Sequence, residues 1–400
     1  MTKNIIKKIL IISGAGIAEI PLIKSAKNLG LFVITTGINT DAIGHNFSDQ
    51  YIYGDYSNKQ EMLHIVDKYQ IDYILPGCND FAILSASYIH DKRQIGIFDS
   101  LETSQTIHHK DRFRNFCYLQ HISAPLAIRL SKEEFTLKHF SLSKHIQKLH
   151  FPLIVKPIDL ASGVGIQKVE DLKYLQKAIE NAFQVSRESY IVIEEYIYGE
   201  HYSASLLIQN KKIIFQFFAQ EYFNQGEFNV AGAFSTTELS SDTQQHLLKD
   251  IQKLINKLNL KDGLLHIQFI VRESYPYILE VTRRSPGDLY LLLVNHSVSI
   301  DYAELIIKSH CGIKIDLPQH ITTKPIVREC ITAQKTGNTY TITLKKTPYY
   351  SHIETIFFKK KHIEKIGEKL AIVFLEFSDF SKLFQCIPSQ RNTIFKVTIK

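Results

Sequence analysis

Four groups of residues in this sequence have the types and spacing for a chemical role, two through lysines that could meet an anion and two through carboxylates that could accept hydrogen bonds or hold a cation. Lys156 closes the apolar run FPLIVK and is followed by Ser162, Gly163 and Gly165 in the stretch PIDLASGVGI. A lysine offers a point charge, and a run almost without bulk lets backbone N–H groups close on a ligand. Lys110 lies in HHKDRF. The segment EEYIYGEHYS carries Glu194, Glu195 and Glu200. Finally, HIQFIV places Gln268 on one strand, and YPYILEVTRRSPGD places Glu280, Thr282, Arg283 and Arg284 on the next. Each group also has a plainer reading. These are a glycine-rich hairpin, a solvated helix lysine, a strand edge managed with charge, and a surface hairpin. The last meets an objection. Gln268 and Glu280 stand in otherwise apolar strands, where a polar group needs a partner to offset its desolvation.

The elements that must position these groups follow from the apolar patterns. In the first hundred residues KKILIISG, LFVITT, DQYIYGD and IDYILPG are strands. They alternate with the helical patterns AEIPLIKSAKNLG and KQEMLHIVDKYQ. That alternation implies a parallel sheet with helices on its faces, an α/β arrangement. GAGIAE, from 14 to 19, sits at the first strand-to-helix turn, where doubly wound folds bind ligands. Glu19 stands where the third glycine of a dinucleotide fingerprint belongs, so NAD is disfavoured there. From about residue 102 a helical stretch leads into the lysine-and-glycine hairpin. The helix DLKYLQKAIENAF follows, and then strands and helices mix in an α+β pattern. The tail from about 316 holds short β-rich segments such as NTYTITLKK and KLAIVFLEF.

Composition narrows the function classes. At 400 residues the chain calls for two or three domains. With 44% hydrophobic and 22% charged residues it is a soluble globular sequence. No apolar run reaches the roughly 18 residues that span a bilayer, so no membrane partner is expected. The opening MTKNIIKKILIISGAG lacks a small-residue cleavage site and is not read as a signal peptide. The five cysteines are scattered without metal-ligand spacing, as expected for reduced thiols of a cytoplasmic protein. The net charge of +7 suits an anionic substrate. Lysines are spread along the chain and no nucleic-acid module is recognisable, so no nucleic-acid partner is expected. Lys359, Lys360 and Lys361 read as a solvated face. There is no Ser-His-Asp set and no paired metal-site histidines. His266 alternates onto the face of Gln268, either lining a site or sitting as a satisfied core histidine.

Taken together and in this order, the four groups resemble the ATP-grasp superfamily. The resemblance is to the branch with biotin carboxylase, the purine-pathway carboxylases and formate-dependent transformylase, and the large subunit of carbamoyl phosphate synthetase. It implies a Rossmann-like pre-ATP-grasp domain over 1–101 and an ATP-grasp domain over 102–315 with a lid at about 148–206. A small β-rich C-terminal domain over 316–400 would follow. It implies ATP with Mg2+ (or Mn2+) as cofactors. Lys110 and Lys156 would hold the phosphates under a loop containing Ser162, Gly163 and Gly165. Glu194 would accept from the adenine amino group, with Glu195 beside it. The backbone of Tyr196 and Ile197 would pair with the ring, and Glu200 would take the ribose hydroxyls. Gln268, Glu280 and Thr282 would hold the metal, and Arg284, with Lys156, would face the transferred phosphate. Many members have glutamate at the position of Gln268 and asparagine at that of Thr282, so this metal site carries less negative charge. The implied activity is ligation of a small-molecule carboxylate to an amine or other nucleophile through an acyl phosphate. The alternative is a non-catalytic ATP-binding sensor or assembly subunit. Relatives in this branch are often homodimers, which admits a homodimer here.

Overall fold

The computed structural model describes residues 7–137, 141–158, 165–224, 228–345, 347–358, 362–387, 389 and 394–400. The expected lysine face at 359–361 lies outside them. The N-terminal apolar runs become β1 (Ile9–Ser13), β2 (Phe32–Gly37), β3 (Gln50–Tyr53) and β4 (Tyr73–Pro76), all parallel in the order β3-β2-β1-β4. The runs are continuous because both faces are covered. Leu10 and Ile12 face one apolar cluster while Ile11 and Ile34 face another. After β4, Asn79 caps the helix Asp80–Arg93 by accepting from the Phe81 N–H at 2.8 Å. That cap fixes Asp80 in the first turn, at the C-terminal edge of the parallel sheet.

A second sheet contains β5 (Ala127–Ser131), β6 (Leu153–Pro157), β7 (Gln167–Val169) and β8 (Tyr190–Glu195), antiparallel in the order β5-β8-β6-β7. Leu175, Ala178, Ile179 and Ala182 make one stripe on the helix Leu172–Val185. They pack on Leu153, Val155, Ile191 and Ile193. The alternate residues Ile154, Lys156 and Glu194 therefore turn to the opposite face.

The third and largest sheet is built on β9 (Glu200–Gln209), β10 (Lys212–Phe223), β11 (Val230–Ser235), β12 (Gly263–Arg272) and β13 (Tyr275–Thr282). It continues through β14 (Ile326–Thr332), β16 (Tyr350–Phe357) and β17 (Lys369–Phe377), in the order β13-β12-β9-β10-β11-β14-β17-β16. Thus β-rich segments from the expected C-terminal unit are hydrogen-bonded into the central sheet rather than standing apart. Among the described residues, β15 (Tyr340–Leu344) and β18 (Phe395–Ile399) form a separate ribbon.

The small sheet also departs from the 148–206 lid of the sequence reading. It takes β5 from before that range and gives β9 to the large sheet. The chain changes sheets at Gly199, where φ is +155° and a Cβ would stand 2.2 Å from the Val271 carbonyl oxygen, so only glycine fits. Leu206, Ile208, Leu265, Ile267 and Phe269 on one face of the large sheet bury the helix Ser241–Lys257 through Leu247, Ile251 and Leu254. The other face is the floor of a cleft.

Candidate active site

The cleft, about 530 Å3, lies between the small sheet and the floor of the large one. It brings together most of the residues singled out in the sequence. Lys110, Lys156, Glu194 and Glu195 line it, with Tyr196 and Ile197 beside them. So do Gln268, Glu280, Thr282 and Arg284. Ser162 and Gly163 lie outside the described residues. Gly165 is not among the lining residues. Its φ is +74°, and a Cβ there would meet Val185 at 2.6 Å and Pro157 at 2.8 Å. Glycine is therefore needed at 165 to let the chain turn against these two side chains.

Lys156 stands one residue before the end of β6, with its side chain 10% exposed. It bonds Glu194 Oε1, while Glu194 Oε2 accepts from Arg114 Nε at 2.8 Å. Burial lowers the Lys156 ammonium to about 8, opposed by the Glu194 charge and helped by Arg114 and Lys110. Burial would raise the Glu194 carboxyl, but Arg114 and Lys156 outweigh it and hold it below the usual carboxylate range. Each of its oxygens is thus engaged as the counter-charge of Lys156 and Arg114, beside any acceptor role toward an adenine amino group. Glu195 is engaged as well, accepting from the His150 N–H at 3.0 Å and lying 2.8 Å from its Nδ1. The Tyr196 N–H donates to the Pro152 carbonyl at 2.9 Å.

Glu200 is not among the residues that line the cleft. Its carboxylate accepts from the Tyr202 hydroxyl at 2.7 Å, and it lines a separate pocket with Tyr198 and Glu238. Alternation explains this. Ala204, Leu206 and Ile208 face the helix side, so the even-numbered positions of β9 turn from the cleft floor, although Tyr202 also borders the cleft. His201 is the cleft residue, its ring 4.6 Å from that of Phe223 and its imidazole lowered to about 4 by burial. The signal was present in EHYSASLLI, where Ser203 and Ser205 mark the odd positions as the polar face.

The hairpin β12–β13 sets Gln268 directly opposite Glu280. A bulge follows, because Phe269 pairs with Ile278 and leaves Leu279 as an extra residue. Both Ile278 and Val281 lie in the apolar cluster under the sheet. In a regular strand residues three apart face opposite sides; the extra residue lets Ile278 and Val281 both reach the cluster, with Leu279 and Glu280 between them on the cleft side. The bulge turns Glu280 into the cleft, and it turns the Leu279 carbonyl toward Arg114 Nη2, at 2.7 Å. Gln268 Nε2 donates to Glu221 Oε2 at 2.7 Å, which fixes the amide so that its oxygen is the remaining ligand atom. Glu221, missed in the sequence reading, is buried, and burial raises its carboxyl.

Thr282 is buried, with its hydroxyl accepting from the Arg284 N–H at 3.3 Å. Arg284 pairs with Asp80 through Nε at 2.9 Å and Nη2 at 3.2 Å. His266 is satisfied by Ser205, Nδ1 to Oγ 2.9 Å, and burial lowers it to about 3. It is the neutral core histidine of the two readings, although it also borders the cleft.

The donor set fits a hard divalent cation. Among the described residues no group of three or more His, Cys, Asp or Glu could hold a metal by itself. Magnesium needs only one or two protein oxygens when phosphates supply the rest. Glu280 offers a carboxylate with no hydrogen bond or ion pair among the described residues, and Gln268 offers an oriented amide oxygen.

A parallel sheet, a small antiparallel sheet and a large antiparallel sheet thus surround one charged cleft. Residues 125–287 match the ATP-grasp domain family, and the chain carries that domain. Among curated relatives, the carbamoyl phosphate synthase large chain of Clostridium botulinum is 24% identical over 319 residues, covering 76% of this chain and 29% of its own length. The chain therefore spans less than a third of such relatives. The formate-dependent phosphoribosylglycinamide formyltransferase of Prochlorococcus marinus subsp. pastoris is 23% identical over 377 residues, 93% of each chain. The L-amino acid ligase structure from Bacillus licheniformis superposes with a TM-score of 0.81 at 14% identity, over 98% of this chain and 99% of that one.

Proposed function

We propose that this protein is an ATP-dependent ligase that activates a substrate carboxylate as an acyl phosphate and passes the acyl group to an amine or other nucleophile. The observation that carries the reading is the Gln268–Glu280 pair on the cleft floor, facing the Lys156 of the small sheet. One place then has oxygen ligands for a metal and ammonium charge for phosphate. Glu280 and the Gln268 oxygen would hold magnesium, which supplies charge neutralisation for the phosphates when bound.

In the first step a carboxylate oxygen attacks the γ-phosphorus and the bond to the ADP oxygen breaks. In the second the nucleophile adds to the acyl carbon and inorganic phosphate leaves. The side chains position and neutralise, and none is a covalent nucleophile. Lys156 and Lys110 face the phosphates, while Arg284 offers charge where the phosphoryl group moves. The adenine lies against Tyr196 and Ile197, and the ribose lies nearer His201 than Glu200. The small sheet, Ala127–Glu195, is the part that covers the nucleotide.

The named activities of the relatives, a carbamoyl phosphate synthase, a formyltransferase and an amino acid ligase, support the class without choosing the substrate. No helix among the described residues is long and apolar enough to cross a membrane. The five cysteines are free, which supports a reducing, cytoplasmic setting. The test is a screen of carboxylate and amine pairs for release of ADP and phosphate with magnesium. ADP release that requires both partners supports a ligase, and tight ATP binding with no release under any pair supports the sensor alternative.

A further inference from the structure

Arg328, on β14, is only 2% exposed. Among the described residues its guanidinium makes one hydrogen bond, Nη1 to the Asp288 carbonyl at 3.0 Å, and no ion pair. Its Nε is buried without a partner. A buried cation so thinly compensated is costly in an empty protein. The carboxylates nearby are committed elsewhere, Asp288 to Lys369, Glu329 to Tyr222 and Glu221 to Gln268. Arg328 borders the cleft.

Sheet register says where along the cleft it acts. Ile270, His201, Glu221, Ala233 and Arg328 stand opposite one another in a single row across five strands. Directly opposed residues share a face, so all five belong to the cleft side. Between Glu221 and Arg328 the row holds only Ala233, which is fully buried. Gln268 sits on β12, and Arg328 lies four strands away, a lateral separation of roughly 19 Å between backbones. That is too far for one side chain to serve a phosphate at the Gln268–Glu280 end. It is the right place to meet the far end of a substrate lying along the floor. The family match ends at 287, so it gives Arg328 no role.

We propose that Arg328 anchors a second anionic group of the substrate, a carboxylate or phosphate remote from the carboxylate that is activated. A guanidinium has five N–H donors in a planar fork and pairs with such oxyanions through two of them at once. The identity of the reacting end rests on the ligase reading above, whereas the anchor itself rests on the buried cation.

The test is thermal denaturation of the full chain and two variants, alone and with magnesium and β,γ-imido-ATP. The probes are glutarate, aspartate and glycerol 3-phosphate, with butyrate as the control that carries one carboxylate. Arg328→Met is expected to melt at or above the wild-type temperature in buffer alone, because an uncompensated charge is removed. At least one probe should stabilise the wild type beyond butyrate, and which one does so separates carboxylate from phosphate. That probe should bind Arg328→Met about thirtyfold or more weakly, the loss for truncating one partner of a buried charge pair. Arg328→Lys, which keeps charge and loses the fork, should be intermediate. The proposal is overturned by a lower melting temperature of Arg328→Met in buffer, by equal probe binding in both variants, or by no probe effect in the wild type. If the imido analogue fails to stabilise the wild type, the ligase reading falls, while the buffer and probe arms still decide the anchor.

Discussion

Arg284 and Asp80, 204 positions apart in sequence, form a two-point ion pair that ties the end of β13 to the first turn of the helix after β4. His108 Nδ1 adds a third contact, 3.0 Å from Asp80 Oδ1. Burial would raise the Asp80 carboxyl, but Arg284 and His108 outweigh it and hold it far below the usual carboxylate range. The guanidinium is thus aimed by a helix residue of the N-terminal α/β unit before any substrate arrives. Asp80→Ala should reduce stability by about 2 kcal/mol, below the full cost of breaking a buried pair because the carboxylate is 29% exposed. It should lower kcat for ADP release more than it raises KM for ATP. Denaturant melts and steady-state kinetics check both, and unchanged kcat would show that the pair is only structural.

Lys156 gives the protein a pH dependence with a definite sign. Its ammonium titrates at about 8 in the free protein, below the ordinary 10.5. The unfolded chain therefore holds the extra proton between these values, and this group makes stability rise with pH across that window. Nucleotide binding runs the other way, because phosphate favours the charged lysine. Affinity should be level below about pH 7 and fall by up to about tenfold per unit above pH 8. Titration calorimetry across this range would read it, with proton uptake on binding near pH 8. A flat affinity up to about pH 9.5 would remove Lys156 from the phosphate contacts.

The two proposed metal ligands should respond oppositely to exchange of acid and amide. Glu280 has no partner among the described residues and lies close enough to Glu221 to raise it. Glu280→Gln should therefore leave the melting temperature unchanged or slightly higher while abolishing magnesium-dependent ADP release. Gln268→Glu replaces the donor that meets Glu221 at 2.7 Å by a second carboxylate. It should melt lower than the wild type at pH 8 without metal, and magnesium should restore much of the loss. Equal melting of both variants with and without magnesium would place the metal elsewhere.

Alternation on β9 predicts a contrast between neighbours. Glu200→Gln should leave nucleotide affinity within about twofold of wild type, the usual small effect of a surface change away from a site. His201→Ala should weaken it. Binding of a fluorescent ATP analogue measures both, and the reverse order would restore Glu200 to the site.

Much of the scaffold was legible because strands covered on both faces are continuous apolar runs, as in KKILIISG. The isolated polar residues in β12 and β13 were legible for the same reason, since Gln268 and Glu280 interrupt apolar stretches. That criterion applies equally to Glu221 in FFAQEYF and Arg328 in PIVRECITA, but no phosphate-like motif flanks them, and only the sheet order brings them to the cleft. The bulge at Leu279 was not legible, because one extra residue in a strand leaves no mark on composition. The choice between Glu200 and His201 turned on a phase that Gly199 resets. The engagement of Glu194 depended on Arg114, a helix arginine from a segment where only Lys110 stood out.

The joining of β14 to the outer edge of β11 has a consequence for how the chain is made. Strand β11 ends at Ser235, but its partner on that side begins at Ile326. During synthesis β11 waits, with one row of backbone donors and acceptors open, while the chain between them emerges, a delay on the order of seconds. An open, apolar edge of that kind is a template for pairing with another copy. The floor of the cleft is thus finished late, by distant pairing that folds slowly, and the nascent chain is most exposed to aggregation after its nucleotide-facing strands already exist.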